Sequence, residues 1–482
     1  MAFEIIMPKL GVDMQEGEII EWKKQEGDVV NEGDILLEIM SDKTNMELEA
    51  EDSGVLLKIT RQAGETVPVT EVIGYIGAEG EVVADNSTSA PAAEATAQLE
   101  AAGLEVPKAP SQPSPATAEK AALADNEYDI VVVGGGPAGY YAAIRGAQLG
   151  GKVAIVEKSE FGGTCLNKGC IPTKSILHSA EIYTNLKFIS ELTNDGNFPL
   201  HFVLDYSKVI EKKDKIVEKV RKSLELAVKN SGVKTVYEEA CIKDKNTITA
   251  AETDYEVKNI IVAAGSKPRE IKGLEFDGQF ILNSDDVLNL KELPKSVLIV
   301  GSGAIGTEWA RIYNSFGSEV TVVEMAEHLI PPADIEVSKR VERIYKQKGI
   351  KFYLNDSIEK LEDKTVYLKS GVILTPEIIL VAAGRMPVMC PNCDNAKVLG
   401  DSCGEIQLAH YAIHQAKEYT LNIPFEKNLT PSVIYGQPEI AWVGLREQDV
   451  DESYSISKLP ITALGKSWCD DARRLYQNYH KK

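Results

Sequence analysis

Positive charge is scarce in this chain: its 482 residues hold 52 Lys and Arg against 73 Asp and Glu, a formal net charge of −21. No basic run offsets that balance, so the surface repels nucleic acid and anionic membranes, and small molecules or proteins are the expected partners. Long apolar runs are lacking too. Candidates such as SVLIVGSGAIG at 296–306 are short and broken by glycine, which excludes a membrane-spanning helix. The start, MAFEIIMPKLG, has neither a basic stretch before an apolar core nor an Arg- and Ser-rich amphipathic character. Neither a signal nor a transit peptide is predicted, and a cytoplasmic location is expected. Cysteine is sparse and odd in number, seven in all, which in a long acidic chain points to reduced thiols rather than a disulfide scaffold. Two of these, Cys165 and Cys170, nevertheless lie close together in GGTCLNKGCIPTK (162–174). A structural disulfide would normally close a longer loop in an oxidising compartment, so a redox-active pair is the stronger expectation. The length suggests about three or four domains.

The first eighty residues contain an internal repeat. Residues 16–39 and 53–76 align without gaps at an offset of 37, matching Gly17 to Gly54, Ile20 to Leu57, Gly27 to Gly64, Val30 to Val67 and Ile39 to Ile76. Short apolar stretches punctuated by Gly and Asp predict strands and turns, hence a small all-β unit of two similar halves. Lys43 occupies the predicted hairpin tip between the halves, after DILLEI and before the alternating Met46, Leu48 and Ala50. The Asp42-Lys43 pair at that join resembles the lipoyl domains of 2-oxo-acid dehydrogenase complexes. The resemblance implies lipoate in amide linkage on Lys43. Residues 80–126 are rich in Ala, Pro and Ser and hold too little apolar mass to bury, so they are a predicted flexible linker. As a coil it would span on the order of 35 to 40 Å, enough for a lipoyl tip to visit sites away from its own domain.

Two glycine fingerprints follow. YDIVVVGGGPAGYYAAIRGAQLGGKVAIVEK (128–158) places a β-branched run before Gly134, Gly136 and Gly139 and ends its second strand at Glu157. SVLIVGSGAIGTEWARIYNSFGSEVTVVEM (296–325) repeats the plan with Gly301, Gly303, Gly306 and Glu324, each acidic residue 18 positions after the third glycine. The first glycine permits a tight turn, the second lets a pyrophosphate approach the backbone, and the third lets helix and strand pack closely. The pyrophosphate rests on the helix N-terminus, and the carboxylate accepts hydrogen bonds from ribose hydroxyls. A carboxylate there repels a 2′-phosphate, so Glu324 favours NAD over NADP. NIIVAAGSKP, ending at Pro268, and IILVAAGRMP, ending at Pro387, echo one another and close the two units. Two Rossmann-like units, one interrupted by the other, are expected.

In this setting Cys165 and Cys170 lie shortly after the Glu157 strand, where a dithiol that cycles with its disulfide would stand beside an electron acceptor. Four intervening residues are expected to keep both sulfurs on one turn of backbone. GGTCLNKGCIPTK is similar to the redox motif of the flavin disulfide oxidoreductases, most closely the dihydrolipoamide dehydrogenases. The resemblance implies that Cys165 is the interchange thiol, that Cys170 lies against the flavin of FAD, and that Lys174 pairs with Glu308 beside it. GDSCGEIQLAH (400–410) resembles the returning FAD segment, with Asp401 on the ribityl or pyrophosphate region and a helix starting near Ala409. The implied cofactor-binding set also includes Gly163, Thr164, Ala240, Gly265 and Gly384.

The expected fold is therefore multidomain. An all-β lipoyl (biotinyl-like) domain over 1–79 and the linker over 80–126 precede α/β two-Rossmann FAD- and NAD-binding domains. FAD binding is assigned to 127–270 and to a returning segment over 385–425, and NAD binding to 271–384. A shortened α+β interface domain is expected over 426–482, beginning at TPSVIYGQPEIAWVGL (430–445). The resemblance places an acid–base histidine in a His-Pro-His-Pro segment that has no counterpart here. His480, in NYHKK, is expected to be a solvated residue. Dihydrolipoamide oxidation is accordingly expected to be weakened by a factor of about 10² to 10⁴, and the implied homodimer to form poorly. CPNC (390–393) is a CxxC with Cys403 nearby; three cysteines fall short of the usual four zinc ligands, so loop thiols and no metal are expected. The implied partners are dihydrolipoamide on lipoyl domains and other subunits of a 2-oxo-acid dehydrogenase complex. The alternatives are a related NAD-dependent disulfide reductase, or a lipoyl carrier and interaction protein whose oxidoreductase half is vestigial. Glu324 argues against NADP-dependent glutathione reductase-like enzymes, and the absence of cysteine from residues 1–79 against a mercuric reductase-like one.

Overall fold

The computed structural model describes residues 3–7, 16–31, 34–40, 45–50, 53–68, 71–77, 126–192, 203–460 and 475–481. The chain divides into two units, residues 1–120 and 121–482.

The first unit is a pair of four-stranded sheets. Its strands are β1 (Phe3–Ile6), β2 (Glu16–Trp22), β3 (Val29–Val30), β4 (Ile35–Met40), β5 (Asn45–Glu49), β6 (Gly54–Ile59), β7 (Thr66–Pro68) and β8 (Val72–Gly77). One sheet runs β1-β8-β6-β3 and the other β5-β4-β2-β7. Adding 37 to a residue number carries β2, β3 and β4 onto β6, β7 and β8, so the repeat in sequence is a repeat in structure. The halves interlock, because β3 pairs with β6 and β7 with β2. Val30 and Val67, Leu36 and Ile73, and Ile39 and Ile76 are buried at matching positions around Ile19 and Leu56. Full burial of each such side chain is worth roughly 1.5 to 3 kcal/mol. Strands β4 and β5 form an antiparallel pair in which Met40 faces Asn45. Lys43, between them, lies outside the described residues, as do residues 78–125, which make up nearly all of the linker.

The second unit begins with β9 (Glu127–Val133), α1 (Pro137–Gln148), β10 (Val153–Val156), α2 (Gly163–Lys168), α3 (Cys170–Leu192), α4 (Tyr206–Asn230), β11 (Lys234–Val236), β12 (Cys241–Asp244), β13 (Thr247–Ala250) and β14 (Thr253–Val262). Strands β11-β10-β9-β14 are parallel, and β13 and β12 extend them antiparallel. Next come β15 (Ser266–Pro268), β16 (Ile281–Leu282), β17 (Ser296–Val300), α5 (Ala304–Phe316), β18 (Glu319–Glu324), α6 (Ile335–Gln347), β19 (Lys351–Leu354), β20 (Ile358–Glu362), β21 (Thr365–Leu368), β22 (Ile373–Leu374) and β23 (Ile378–Val381). They form a second parallel sheet, β16-β23-β17-β18-β19, and a small antiparallel one, β20-β21-β22.

The chain then returns to the first sheet. Strand β24 (Arg385–Pro387) pairs with β15, and β25 (Lys397–Val398) lies parallel to β14. Helix α7 (Ala409–Leu421) packs Ala412 and Ala416 into the cluster of Ala138, Ala142 and Ala143 of α1, where small side chains allow close approach. One Rossmann-like sheet is thus interrupted by the other. After α7 come two antiparallel strand pairs, the hairpin of β26 (Ser432–Ile434) with β27 (Ile440–Trp442), and β28 (Tyr454–Pro460) with β29 (Leu475–Lys481). Among the described residues, no helix is long and apolar enough to cross a membrane.

Candidate functional site: two nucleotide cradles and a dithiol

Each parallel sheet ends in a turn that only glycine can make. Gly134 and Gly301 have φ of 104° and 99°, in the left-handed region that other residues avoid. A Cβ on Gly134 would lie 2.3 Å from the carbonyl oxygen of Ala263, and one on Gly139 1.8 Å from that of Gly134. In the second copy the distances are 2.7 Å from Gly301 to Ala382 O and 2.0 Å from Gly306 to Gly301 O. Gly136 and Gly303 cap α1 and α5 without a side-chain hydrogen bond. The first-turn N–H groups therefore point at an open cradle suited to a pyrophosphate. Nothing lies within 4 Å of a Cβ built on Gly303, which borders a cavity of about 720 Å³ lined also by Gly301, Glu324, Asp356 and Gly384. At the first cradle, Gly163 (φ 57°) approaches so closely that its Cβ would lie 2.7 Å from Gly136 Cα.

The two acidic residues share a further task that their spacing did not reveal. Glu157 accepts the Gly135 N–H at 2.7 Å, the Ser159 N–H at 2.9 Å and the Ser159 hydroxyl at 3.1 Å. Glu324 accepts the Ser302 N–H at 2.7 Å, the Ser302 hydroxyl at 2.8 Å and the Ala326 N–H at 2.8 Å. Each carboxylate pins its own glycine turn. A carboxylate has about four acceptor positions, so these three bonds do not exhaust either one.

The cysteines follow the first cradle. Helix α2 carries Cys165, and α3 opens with Cys170 after Gly169. The thiols therefore stand on two helical segments that meet at Gly169, not on one turn: φ and ψ of −142° and −105° there end α2 and re-aim the chain. Both are free thiols of intermediate exposure. The two thiols are close enough for their titrations to be coupled. The Cys165 S–H donates to Cys170, which together with burial pushes the Cys165 pKa far up. The same bond lowers Cys170 to about 7, with the Lys174 ammonium assisting and burial and Glu308 opposing. Cys170 is the thiolate side of the pair.

Lys174 stands one helical turn beyond Cys170, on the same face. Its Nζ donates to both oxygens of Glu308 on α5, at 2.8 and 2.9 Å. Glu308 is only 5% exposed, so its carboxylate is buried against this ammonium. A third member of this group was missed by sequence reasoning: the Tyr435 N–H donates to Glu308 Oε1 at 3.0 Å, and the Tyr435 ring lies 4.6 Å from Lys174 Nζ. Tyr435 sits in the turn between β26 and β27. Its neighbour Gln437 accepts from Arg311 of α5 at 3.1 Å and donates to Glu181 of α3 at 2.9 Å, pinning the hairpin to both helices. The aromatic residue before Gly436 was the available signal, but nothing local names its partners.

The returning segment adds Asp401, which accepts the Ser266 hydroxyl at 2.5 Å, while the Gly265 N–H donates to Ser402 at 2.7 Å. Arg385, also missed, donates to the Ser266 hydroxyl and carbonyl at 2.8 Å and reaches the Thr164 hydroxyl at 3.4 Å, next to Cys165. Ala409 opens α7, whose cap Leu408 offers no side-chain hydrogen bond. Gly384 accepts from Arg269 N–H at 3.1 Å. Ala240 packs on the apolar cluster formed by Tyr128, Ile242 and Val262. The structure thus gathers Cys165, Cys170, Lys174 and Glu308 in one place, with a nucleotide cradle of either kind leading away from it.

Two interleaved dinucleotide folds with a dithiol between them define a flavin- and nicotinamide-linked disulfide oxidoreductase. The pyridine nucleotide-disulphide oxidoreductase family matches residues 128–416, and the chain belongs to it. The biotin-requiring enzyme (biotin/lipoyl) family matches residues 3–76. The chain is 35% identical over 395 residues to a dihydrolipoyl dehydrogenase of Bacillus subtilis, covering 71% of this chain and 83% of that one. It is 34% identical over 384 residues to the dihydrolipoyl dehydrogenase of Chlamydia muridarum, covering 70% and 81%. Among solved structures, the fold is shared with LpdA of Mycobacterium tuberculosis (TM-score 0.67, 20% identity, 73% of this chain and 87% of that one). It is also shared with the HOCl-induced flavoprotein disulfide reductase RclA of Escherichia coli (TM-score 0.63, 22% identity, 73% and 87%). The chain is an FAD-dependent oxidoreductase of the dihydrolipoyl dehydrogenase kind, with a nicotinamide nucleotide as its second cofactor and a lysine-borne lipoyl group on its first unit.

Proposed function

We propose that the chain oxidises dihydrolipoyl groups through Cys165 and Cys170 and passes the electrons to NAD, as a component of a 2-oxo-acid dehydrogenase complex, and that Lys43 bears its lipoyl group. The observation that carries this reading is the placement of two free thiols, Cys165 and Cys170, beside the Lys174–Glu308 ion pair and next to the first glycine cradle. In the oxidised enzyme the two sulfurs are joined. A dihydrolipoyl thiolate attacks Cys165 Sγ, the S–S bond breaks, and Cys170 leaves as the thiolate, the better leaving group because its pKa is lower. The second lipoyl sulfur then displaces Cys165 and closes the lipoyl ring. The substrate loses two electrons and two protons; one proton remains on Cys165 and one goes to solvent.

Lys174 holds its charge next to the leaving sulfur, and Glu308 and the Tyr435 ring hold Lys174. The cradle of Gly134, Gly136, Gly139 and Gly163, with Asp401 and the start of α7, would hold FAD, which would supply two-electron chemistry when bound. The cradle of Gly301, Gly303 and Gly306 would receive the NAD pyrophosphate. Glu324 offers its remaining acceptor to a ribose hydroxyl and its charge disfavours a 2′-phosphate.

The test is a single turnover without NAD. Flavin-loaded protein is mixed anaerobically with one equivalent of dihydrolipoamide, quenched in acid, and its thiols are alkylated. Cys165 and Cys170 should become labelled as lipoamide appears in equal amount. Dihydrolipoamide left intact beside a closed Cys165–Cys170 disulfide would overturn the proposal.

A further inference from the structure

The Cys390-Pro-Asn-Cys393 segment lies between β24 and β25 and takes no part in the site described above. Pro391 and Asn392 form the turn between the two cysteines, and Asn392 has φ of 58°. Proline followed by a left-handed Asn is the order a type II turn requires, and such a turn brings its first and fourth Cα atoms within about 7 Å. A disulfide closes at Cα separations of roughly 4.4 to 6.8 Å. A second turn follows at once, with Ala396 N–H donating to Cys393 O at 2.9 Å. The Asn392 side chain donates to Ile242 O at 2.9 Å, anchoring the loop on β12, whose first residue is the exposed Cys241.

Cys390 and Cys393 rest, half-buried, on the apolar cluster of Tyr128, Val131, Ile242 and Val262. The opposite face of the same sheet packs against α1 and α7. Burial, then the neighbouring Cys393 and Cys241 thiols, hold Cys390 above the ordinary thiol range, so the three sulfurs share one neighbourhood. Cys403, close in sequence, is elsewhere: its S–H donates to Val398 O at 3.0 Å. Among the described residues, no three His, Cys, Asp or Glu side chains are placed to hold a metal ion.

We propose that Cys390 and Cys393 are a second dithiol–disulfide pair, on the opposite face of the FAD-binding sheet from α1 and α7, that exchanges with soluble disulfides. One thiolate of the pair attacks a disulfide R–S–S–R and expels one RS⁻. The second displaces the other RS⁻ and forms the Cys390–Cys393 bond. The pair loses two electrons and two protons, and two RSH are formed.

The test uses the full-length, flavin-loaded protein. It is reduced, freed of reductant, incubated with 2-hydroxyethyl disulfide, quenched in acid, blocked with a maleimide and digested without reduction. The peptide holding residues 390–393 should appear two hydrogen masses lighter and unlabelled, and dithiothreitol should restore both labelling sites. The bond should form equally in Cys165→Ser protein, which makes the result independent of the proposed dehydrogenase chemistry. Cys393→Ala should abolish it and leave dihydrolipoamide turnover unchanged. Full maleimide labelling of both cysteines, a mixed disulfide that never closes, or a Cys241–Cys390 bond would each overturn the proposal.

Discussion

Removing either member of the Lys174–Glu308 pair should move Cys170 in opposite directions. The ammonium lowers the Cys170 pKa and the carboxylate raises it. With Cys170 at about 7, roughly half of it is thiolate at neutrality. Lys174→Met keeps the length and packing of the side chain but deletes its charge, and a nearby charge is worth about one to three pKa units. Lys174 ranks behind the Cys165 hydrogen bond among the causes that lower Cys170, so the small end applies. A rise of about one unit, or about 1.4 kcal/mol, leaves roughly a tenth of Cys170 ionised at pH 7, about a five-fold loss of thiolate. Glu308→Gln removes the opposing charge, and the Cys170 midpoint should fall below the wild-type value. The assay is alkylation of the reduced protein across pH, with rates at Cys170 and Cys165 read separately by peptide mass spectrometry. In the wild type the Cys170 rate should climb through a midpoint near 7, at lower pH than that of Cys165. General loosening of the site would shift both variants the same way, so equal shifts, or none, would refute the electrostatic argument.

Tyr435→Leu removes the ring beside Lys174, a contact worth about 0.5 to 2 kcal/mol. It should raise the Cys170 midpoint in the same titration, and Tyr435→Phe should not. Gly306→Ala would place a Cβ 2.0 Å from Gly301 O, so flavin content should survive while NADH binding, followed by equilibrium titration, is lost. Glu324→Gln should narrow the ratio of NADH to NADPH turnover, because it removes the charge that repels a 2′-phosphate; an unchanged ratio would mean that this cradle is misassigned. The intact mass of the chain made with a lipoyl ligase should carry one lipoyl group, lost in Lys43→Arg.

The elements that were legible in the sequence are those set by local chemistry. Gly27 and Gly64 both have positive φ, 96° and 88°, and each donates to the other half of the first unit, to Leu56 O and Ile19 O, which are themselves 37 apart. The repeat could be aligned because each half needs the same turn at the same place. That the halves interlock could not be read, because β3 with β6 and β2 with β7 are long-range pairings with no local signature. The same division runs through the site. Both glycine fingerprints follow from backbone sterics, so they stand in the sequence. Tyr435 meets Glu308 across 127 residues and Arg385 meets Thr164 across 221, and neither contact leaves a pattern in its own segment. The split of Cys165 and Cys170 between two helices depends on the backbone angles of Gly169, which spacing alone does not specify.

The central claim is that electrons pass from a dithiol, through Cys165 and Cys170, to NAD. The most direct measurement is NADH formation by flavin-loaded protein given dihydrolipoamide and NAD, compared with NADP and with Cys165→Ser and Cys170→Ser. NADH should form, NADP should be reduced more slowly, and either serine variant should abolish both reactions. Turnover that survives both substitutions, or its absence from wild-type protein that holds its flavin, would contradict the claim.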